Sequence, residues 1–454
     1  MKFSSDKRLS WILFLSVLLV MGLMGFPGIA DAATQQEGID RGLRDKTIDP
    51  PIPNEQLRST DKFWDEADDF ILIGDIQAFG TYSDLDGEDQ WGGSCYGLFA
   101  PGYKIADKIM FILMYDGQYD KRLELYSDDY GFRSRTEFQR HAVTPMLRID
   151  FGEDSRYSIT PAVFYTATWN KDDGQEDRWD KGFYNYRDEG VGLDFDMRKA
   201  FGEWGALKIG MQYYDRRYPN YSNLLWEYDG VVFQQTYKDE KDYNGILGTV
   251  GYNWIVDSGF SWALDYSLLY KKFDDKKVIK SNGEMSQSTK QHDYIHELDL
   301  GTWYFFDDIA GGLKLGMDFV FRIYDSNENY IHWDGLFSWE VNSNYFDYRS
   351  YRIIPNATYI FEQIPLTVSV SYSYEKVDYT DRWALSSTGG WAEKDEQWES
   401  LHQVLIGLKF DFSEKLSLLA QYEYLKGSSN NDYETVYVYD YRLSNCLIGF
   451  KYSF

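Results

Sequence analysis

The chain has 454 residues, a formal net charge of −27 and an aromatic fraction of 18%. This acidic balance excludes nucleic acid as a partner, because phosphates are bound by basic patches. The two cysteines, Cys95 and Cys446, are too few for a disulfide framework, although a single pairing between them is left open.

The first 32 residues have the pattern of an export signal. Three basic residues precede an apolar stretch from Trp11 to Met24, and Ala30 and Ala32 fit the small-residue cleavage pattern. The apolar core is shorter than the ~20 residues that a membrane-spanning helix needs. We therefore predict a signal peptide over residues 1–32, with the mature chain beginning near Ala33, and not a membrane anchor.

Residues 33–69 show no regular alternation of apolar and polar side chains. The stretch is rich in proline at first and acidic towards its end, as in "TIDPPIPNEQLRSTDKFWDEADD". Such a composition favours a disordered extension. A short helix that folds back as a plug is the alternative.

From Phe70 onward, apolar and polar residues alternate in long segments that predict β-strands. The segment "LKLGMDFVFRIY" (residues 313–324) is typical, since Leu, Met, Phe and Ile occupy one face and Lys, Gly, Asp and Arg the other. Many segments exceed ten residues, about twice the usual strand length in a soluble β-sandwich. Membrane barrels need strands of this length.

The connections between these strands alternate between short and long. Short turns are predicted near residues 106–108, 153–156, 200–205, 256–258, 307–311, 362–365 and 413–415, and long connections near 83–94, 123–135, 170–182, 219–240, 275–290, 325–344, 380–396 and 428–434. We predict an all-β transmembrane antiparallel up-and-down barrel over residues 70–454. It has about 16 strands (14 to 18), short periplasmic turns and long external loops. Residues 33–69 then lie in the periplasm.

The last strand ends in "GFKYSF", with Phe450, Tyr452 and Phe454 on one face. Gly449, Tyr452 and Phe454 resemble the C-terminal assembly signal of outer-membrane proteins, in which aromatics follow a glycine by three and five residues. The chain thus resembles the porin-like barrels of Gram-negative bacteria. The resemblance implies an outer-membrane location, lipid and lipopolysaccharide as surroundings, the barrel-assembly machinery as a partner, and a homo-oligomer as an open alternative.

A barrel of this size leaves an aqueous channel. Charged side chains on the polar strand faces are predicted to line it: Asp75, Arg148, Asp150, Asp194, Asp196, Arg198, Lys208, Glu297, Asp299, Lys314, Asp318, Arg322, Arg352, Glu375, Lys409, Asp411 and Glu423. The acidic excess falls mainly in the long connections, which favours cations near the channel mouth. We predict passive diffusion of small hydrophilic solutes, with cations preferred.

Two other functions fit the same pattern. An export barrel for a charged polymer, such as a polysaccharide, also needs a wide, charged lumen. A structural or adhesive barrel needs only loops that seal it.

The third long connection contains "NKDDGQEDRWDKG". In sixteen-stranded general porins the third external loop folds inward and narrows the channel. By ordinal position, that resemblance implies a constriction formed by Asp172, Asp173, Glu176, Asp177 and Arg178.

No pattern in the chain indicates catalysis or a cofactor. His292 and His296 share one strand face, but a metal site needs further ligands nearby, so we interpret the pair as lumen lining. No serine-centred nucleophile motif occurs. We therefore predict neither an enzyme nor a metal site.

Overall fold

The computed structural model describes residues 70–85, 88–123, 135–172, 179, 185–200, 205–221, 227–228, 231–232, 240–255, 259–306, 311–333, 339–387, 391–432 and 440–454. The predicted signal peptide, the N-terminal extension and most of the third long connection lie outside these residues. Within the described ranges, no helix has the length and apolar character needed to cross a membrane.

The described strands run in chain order. They are β1 (Phe70–Leu85), β2 (Glu88–Ala106), β3 (Ile109–Leu123), β4 (Arg135–Phe151), β5 (Tyr157–Asp172), β6 (Tyr186–Arg198), β7 (Gly205–Arg217), β8 (Glu227–Tyr228), β9 (Val231–Val232), β10 (Tyr243–Ile255), β11 (Phe260–Ile279), β12 (Met285–Phe306), β13 (Leu313–Ser326), β14 (Tyr330–Trp333), β15 (Trp339–Asn342), β16 (Tyr348–Ile360), β17 (Leu366–Leu385), β18 (Trp391–Asp411), β19 (Leu416–Ser429) and β20 (Tyr441–Ser453).

Sixteen of these strands form one closed antiparallel barrel in which each strand pairs with the next barrel strand along the chain. The remaining four form two small hairpins in the long connections, β8 with β9 and β14 with β15. The predicted up-and-down barrel of about 16 strands is confirmed.

The barrel closes where β20 pairs with β1, from Asp75 opposite Ser453 to Leu85 opposite Leu443. Beyond the ladder, the Phe454 amide donates to the Gly74 carbonyl at 3.0 Å, and the Gly74 amide donates to the Phe454 carbonyl at 3.2 Å. Hydrocarbon offers backbone groups no water, so a spanning sheet can have no open edge. The chain satisfies this requirement down to its last residue.

The two faces of the sheet differ as strict alternation requires. Large apolar side chains point outward and are exposed, for example Val191 (53%), Met211 (59%) and Ile448 (64%). The intervening residues point into the enclosed lumen. An outer surface of this kind would be unstable in water and is typical of a wall covered by lipid.

Three strand pairs carry the same tyrosine–histidine contact on the outer face. Each tyrosine lies six residues after the first residue of its strand, and its hydroxyl meets the Nδ1 atom of a histidine diagonally across the ladder. The pairs are Tyr115 with His141 (2.7 Å), Tyr266 with His296 (2.8 Å) and Tyr372 with His402 (2.7 Å). In each pair the histidine is a hydrogen-bond partner for the hydroxyl of a membrane-facing tyrosine, and the three pairs lie at the same height in the barrel.

Four prolines in the strands lie at gaps in the ladder: Pro101, where β2 meets β3; Pro145 and Pro161, where β4 meets β5; and Pro355, where β16 meets β17. Pairing of β4 with β5 skips from Val143 to Met146, across Pro145, and pairing of β16 with β17 skips from Ile353 to Asn356, across Pro355. Proline has no amide hydrogen to donate, so a gap in the ladder is the expected result.

Several predicted loops are in fact strand. Residues 83–94, 275–290 and 380–396 are largely taken up by the ends of β1 and β2, β11 and β12, and β17 and β18. The pairing of β11 with β12 shifts in register after Lys272, and the pairing of β17 with β18 shifts after Asp378. Outside the lipid both strand faces meet water, so these segments lose the alternation that identifies a membrane strand.

The inner wall: candidate functional site

Every predicted pore-lining residue lies on the inner face of its strand, opposite in parity to the exposed apolar side chains. Their part in conduction remains a prediction. The contacts among them divide the wall into regions of different chemistry.

Most inner charges are held in pairs. Arg322 donates from Nε and Nη2 to Glu297 Oε2, at 2.8 and 2.7 Å. Other inner residues pair along or across strands: Lys451 with Asp75 (3.0 Å), Arg148 with Asp150 (3.0 Å), Lys409 with Asp411 (2.9 Å) and Arg352 with Glu375 (3.8 Å). Such pairs keep charged groups on the wall without leaving them uncompensated.

Other predicted residues are held by neutral donors. Glu423 accepts from Gln403 at 2.5 Å and from Asn445 at 2.9 Å. Asp318 accepts from Asn356 at 3.0 Å. Amide donors hold a carboxylate in place without carrying a positive charge themselves.

Four acids on neighbouring strands form what we call the acidic belt. It consists of Asp265 on β11, Glu297 and Asp299 on β12, and Asp318 on β13. Asp265 is directly opposite Asp299 in the ladder, and Asp318 is opposite Gly301. Asp265 and Asp299 are exposed, although they belong to the inner face.

Glycine makes room for this belt. A Cβ atom at Gly251 would lie 2.1 Å from Asp265 Oδ1, and one at Gly301 would lie 2.9 Å from Asp318 Oδ1. Both distances are shorter than real contacts, so a side chain at either glycine would force the carboxylate to move.

Sequence reasoning missed several members of the inner wall. Asp265 was not recognised, although it alternates correctly with Leu264 and Tyr266. It also missed the buried pair of Arg216 and Asp188, joined by two hydrogen bonds of 2.7 Å, because a cross-strand partner is set by register.

A second region of the inner wall is apolar. The buried side chains that form this apolar patch are Ile71, Leu98, Ala100, Met110, Ile112, Met114, Met146 and Ala162, on β1 to β5. The sequence carried a signal for it, since "IMFILMY" (residues 109–115) is apolar on both faces. In the structure only the inner residues of this stretch are buried, whereas Phe111 and Leu113 on its outer face are exposed.

The predicted constriction falls largely outside the described residues. Asp172 is the last residue of β5, and Asp173, Glu176, Asp177 and Arg178 follow it beyond the described range. At the base of this connection, Asn185 Oδ1 accepts from the Asn170 amide at 2.7 Å.

The predicted assembly signal lies at the closing seam. Tyr452 and Phe454 contact each other with ring centroids 6.0 Å apart, and Phe454 contacts Phe99 at 5.8 Å. A Cβ atom at Gly449 would lie 2.0 Å from the Ala78 carbonyl oxygen. The seam therefore requires glycine there, and recognition by the assembly machinery remains a prediction.

The interpretation of His292 and His296 as lumen lining is wrong. Both belong to the outer parity of β12, where His292 contacts Tyr294 and His296 contacts Tyr266. Among the described residues, no group of three or more His, Cys, Asp or Glu side chains could hold a metal ion. Cys95 and Cys446 are free and exposed on the outer wall.

Comparison with known proteins identifies no family. No family model matches the chain, and no curated protein matches it. Similar solved structures include in-vitro folded OmpT of Vibrio cholerae (12% identity, 86% of this chain and 99% of that chain, TM-score 0.44). Another is Salmonella typhi OmpF in complex with daunomycin (15% identity, 85% of this chain and 97% of that chain, TM-score 0.40). A third is opdK of Pseudomonas aeruginosa (13% identity, 85% of this chain and 99% of that chain, TM-score 0.37).

The fold assignment therefore rests on the chain's own features. The closed antiparallel sheet and its apolar outer surface are properties of this chain itself. By these features the chain is a sixteen-stranded β-barrel protein of the bacterial outer membrane.

Proposed function

We propose that the barrel is a passive channel for small hydrophilic solutes and that it prefers cations. The acidic belt is the observation that carries this proposal. Asp265 and Asp299 are opposite one another on the inner face and both are exposed. Two like charges in direct cross-strand contact are unfavourable for stability, which makes a functional role for this placement the better explanation.

The electrostatics of the lumen support the choice of cations. Many inner charges elsewhere cancel within pairs, so their field is weak beyond a few ångströms. In the belt, Arg322 bonds to Glu297 and Asn356 bonds to Asp318, while Asp265 and Asp299 are exposed to the enclosed water. Carboxylates in a narrow aqueous space concentrate cations and exclude anions, and salt weakens the effect.

The proposal assigns no reaction to the chain. Lipid, lipopolysaccharide and the assembly machinery are the partners that it entails, and the solutes are small hydrophilic molecules or cations.

The test is the conductance of the refolded mature chain in planar bilayers under a KCl gradient. We expect steady openings with a cation preference. The triple variant Asp265→Asn, Asp299→Asn, Asp318→Asn should lower the cation-to-anion permeability ratio roughly twofold or more. The absence of conductance in the parent protein would contradict the channel function.

A matched control removes the same charge outside the lumen. Asp107, Glu153 and Asp154 are exposed residues of the short turns, and their joint change to the corresponding amides should leave the permeability ratio unchanged at 1 M KCl, where the screening length is about 3 Å. An equal effect of both triple variants would show that overall charge, and not the acidic belt, sets the preference.

The third long connection is tested separately. Joint neutralisation of Asp172, Asp173, Glu176 and Asp177 should lower the cation preference if this segment enters the lumen. An unchanged reversal potential would reject the constriction.

A further inference from the structure

The turn that precedes β16 contacts the inner face of the barrel on two sides. We call residues 343–347 the inner bridge. Within it, the Asp347 amide donates to the Asn344 carbonyl at 2.9 Å, and Asn344 has a positive φ of 56°. The rings of Tyr345 and Phe346 meet edge to face, with their centroids 5.2 Å apart. This tight reversal therefore presents two neighbouring rings in different orientations.

Phe346 is joined to β11 through a lysine. The Nζ atom of Lys276 lies 5.8 Å from the ring centroid of Phe346 and 5.8 Å from that of Phe273. Phe273 is opposite Tyr243 in the ladder and has the inner parity of Asp265. An ammonium group at this distance from two rings is attracted by both. Lys276 thus links a ring of the inner wall to a ring of the inner bridge.

Tyr345 is joined to β17 in the same way, through an arginine. The guanidinium carbon of Arg382 lies 4.6 Å from the ring centroid of Tyr345 and 4.7 Å from that of Tyr379. Tyr379 has the inner parity of Glu375, and Arg382 is buried. A buried guanidinium gains more from aromatic rings than an exposed one, so this contact holds the bridge against the second wall.

Hydrogen bonds fix the inner bridge to β17 and β13 as well. The Thr380 amide and the Thr380 hydroxyl donate to the Asp347 carbonyl, at 3.1 and 3.2 Å. Asn344 Nδ2 donates to Asp381 Oδ2 at 3.1 Å. On the other side, the Ser326 amide donates to Asp347 Oδ1 at 2.7 Å. A turn of five residues is thereby attached to three strands.

The strand order shows on which side of the wall the inner bridge passes. The neighbours in the barrel are β11, β12, β13, β16 and β17. Above Asp293, which is opposite Ser326, β12 extends eight residues further to Met285. The contact of Phe346 with Lys276 on β11 therefore passes on the lumen side of β12. The inner bridge lies inside the external mouth of the barrel.

The wall beneath the inner bridge is closely packed, although the same strands are open nearer the periplasm. On β12, Asp293 is 1% exposed, whereas Asp299 is exposed. On β13, Ser326 is buried, whereas Lys314 is exposed. All four residues have the inner parity of their strands. The acidic belt thus faces open lumen, and the space on its external side is occupied.

We propose that the inner bridge sets the size limit for solutes that enter the channel from outside. A solute that approaches the acidic belt along β11 to β13 has to pass a turn that is fixed to both sides of that wall. The inference deepens the proposed channel function and rests on it for the passage of solutes. The cover that the bridge gives to the wall does not depend on that function, so the two are tested separately.

Cysteine labelling tests the cover. The background carries Cys95→Ser and Cys446→Ser, which removes the free thiols of the outer wall. Ser350→Cys places one thiol on the inner face of β16, at its third residue, which is buried. The release variant adds Tyr345→Ser and Phe346→Ser, and a water-soluble maleimide is applied to the refolded mature chain. We expect labelling to be roughly tenfold faster in the release variant, because both ring contacts are lost.

The matched control places the thiol on the far side of the barrel. Thr166, on the inner face of β5, is buried and lies nine residues from the periplasmic end of its strand, as Ser350 lies ten from the end of β16. The release substitutions should leave the labelling rate of Thr166→Cys unchanged. Arg382→Gln loosens Tyr345 from the wall without altering the bridge. It should accelerate labelling of Ser350→Cys alone, which guards against general unfolding of the release variant.

Conductance and sugar uptake test the size limit. In planar bilayers with KCl, the release variant should have a larger single-channel conductance than the parent protein. Vesicles that contain it should take up the tetrasaccharide stachyose faster than parent vesicles. The control variant Tyr82→Ser, Trp91→Ser removes two rings from the outer face of the external rim, where they lie 5.1 Å apart. It should leave the conductance and the uptake unchanged.

Equal labelling of Ser350→Cys in the parent and release backgrounds would overturn the inference, because the wall would be no more accessible without the bridge. Faster labelling with unchanged conductance and uptake would overturn the size limit and leave the channel function intact. Conductance in the release variant alone would support the bridge as the barrier and contradict an open channel in the parent. Faster labelling without conductance in either protein would contradict the channel function and, with it, the size limit.

Discussion

The acidic belt and the apolar patch occupy the inner face of the same barrel, at similar heights and on different strands. The belt, on β11 to β13, keeps Asp265 and Asp299 exposed, and the carboxylates of Asp265 and Asp318 lie close to glycines. The patch, on β1 to β5, packs methionine, leucine and isoleucine until almost no surface remains. Since both regions are made by strands with the same period of two, the alternation alone does not reveal what the inner face contacts.

The difference shows that this lumen has two kinds of wall. One exposes carboxylates to the lumen, and the other buries apolar side chains. Substitutions of similar size should therefore have opposite consequences on the two sides, and the following experiments would sharpen or break the comparison.

The largest effect is expected from a charge placed in the patch. Met114→Asp should lower the free energy of unfolding by about 4 kcal/mol, because a carboxylate without a partner is buried. Urea unfolding in lipid vesicles measures it. Met114→Leu should cost less than about 1.5 kcal/mol, and Asp265→Leu on the other wall should change stability by less than about 1 kcal/mol. Equal costs for Met114→Asp and Asp265→Leu would mean that the walls do not differ.

The second-largest loss of stability is expected from a substitution at the seam where β20 pairs with β1. Gly449→Ala puts a Cβ atom 2.0 Å from the Ala78 carbonyl oxygen and should cost about 2–3 kcal/mol through displaced backbone. Heat-modifiable mobility on gels reports the folded fraction. Gly80→Ala is the control, since its Cβ atom would meet nothing closer than 4.0 Å. Equal folded fractions for the two variants would show that the seam is loosely packed.

In the ion pair of Arg322 with Glu297, removal of one charge should destabilise the protein more than removal of both charges. Arg322→Met should cost about 2 kcal/mol, less than for a fully buried pair, because the Glu297 side chain is 22% exposed to the lumen. Combination with Glu297→Gln should recover most of the loss in the same urea assay. If the double variant were as unstable as Arg322→Met alone, charge compensation would not explain the pairing.

The smallest effect concerns the external rim above the charged wall. Burial, with nearby Asp325 and Asp381, raises the pKa of Asp347 to about 6, while the Ser326 amide that donates to it acts in the opposite direction. The folded state thus favours the protonated carboxyl. The ionised form destabilises the turn above pH 6, and this cost is relieved as the pH falls from 6 towards 4.

Hydrogen exchange of the Ser326 amide measures this effect, after correction for intrinsic rates. Protection should be greater at pH 5 than at pH 8, by less than about 1 kcal/mol after allowance for solvent. The matched amide is that of Leu385, which donates to the Asn431 side chain at 2.8 Å and so to an acceptor that does not titrate. A pH dependence that persists in Asp347→Asn would assign the effect to another group.

The sequence predicted the barrel well for a physical reason. Lipid on one side and water on the other impose a period of two that few soluble sheets maintain for ten residues, so the strand count and the inner parity of Asp299 or Arg322 could be read directly. The aromatic ending at Phe454 likewise follows from the need for a closed seam.

Other features depend on register, which single strands do not encode. The diagonal contact of Tyr266 with His296, and the bond between Arg216 and Asp188, join residues 30 and 28 positions apart. The strand ends above the membrane were interpreted as loops because water covers both faces there. The inner face of β3 was missed because its residues are apolar on both faces.

The length of the hairpins has a consequence for the cell surface. β12 contains 22 residues and rises about 55 Å along the barrel axis at the usual tilt, whereas the apolar band of such barrels is about 25 Å tall. An antibody or phage would therefore meet paired strands at the β11–β12 hairpin. An inserted epitope would be tolerated at the tip turn around Gly283, where the chain reverses between Lys280 and Glu284, and would break the ladder a few residues to either side.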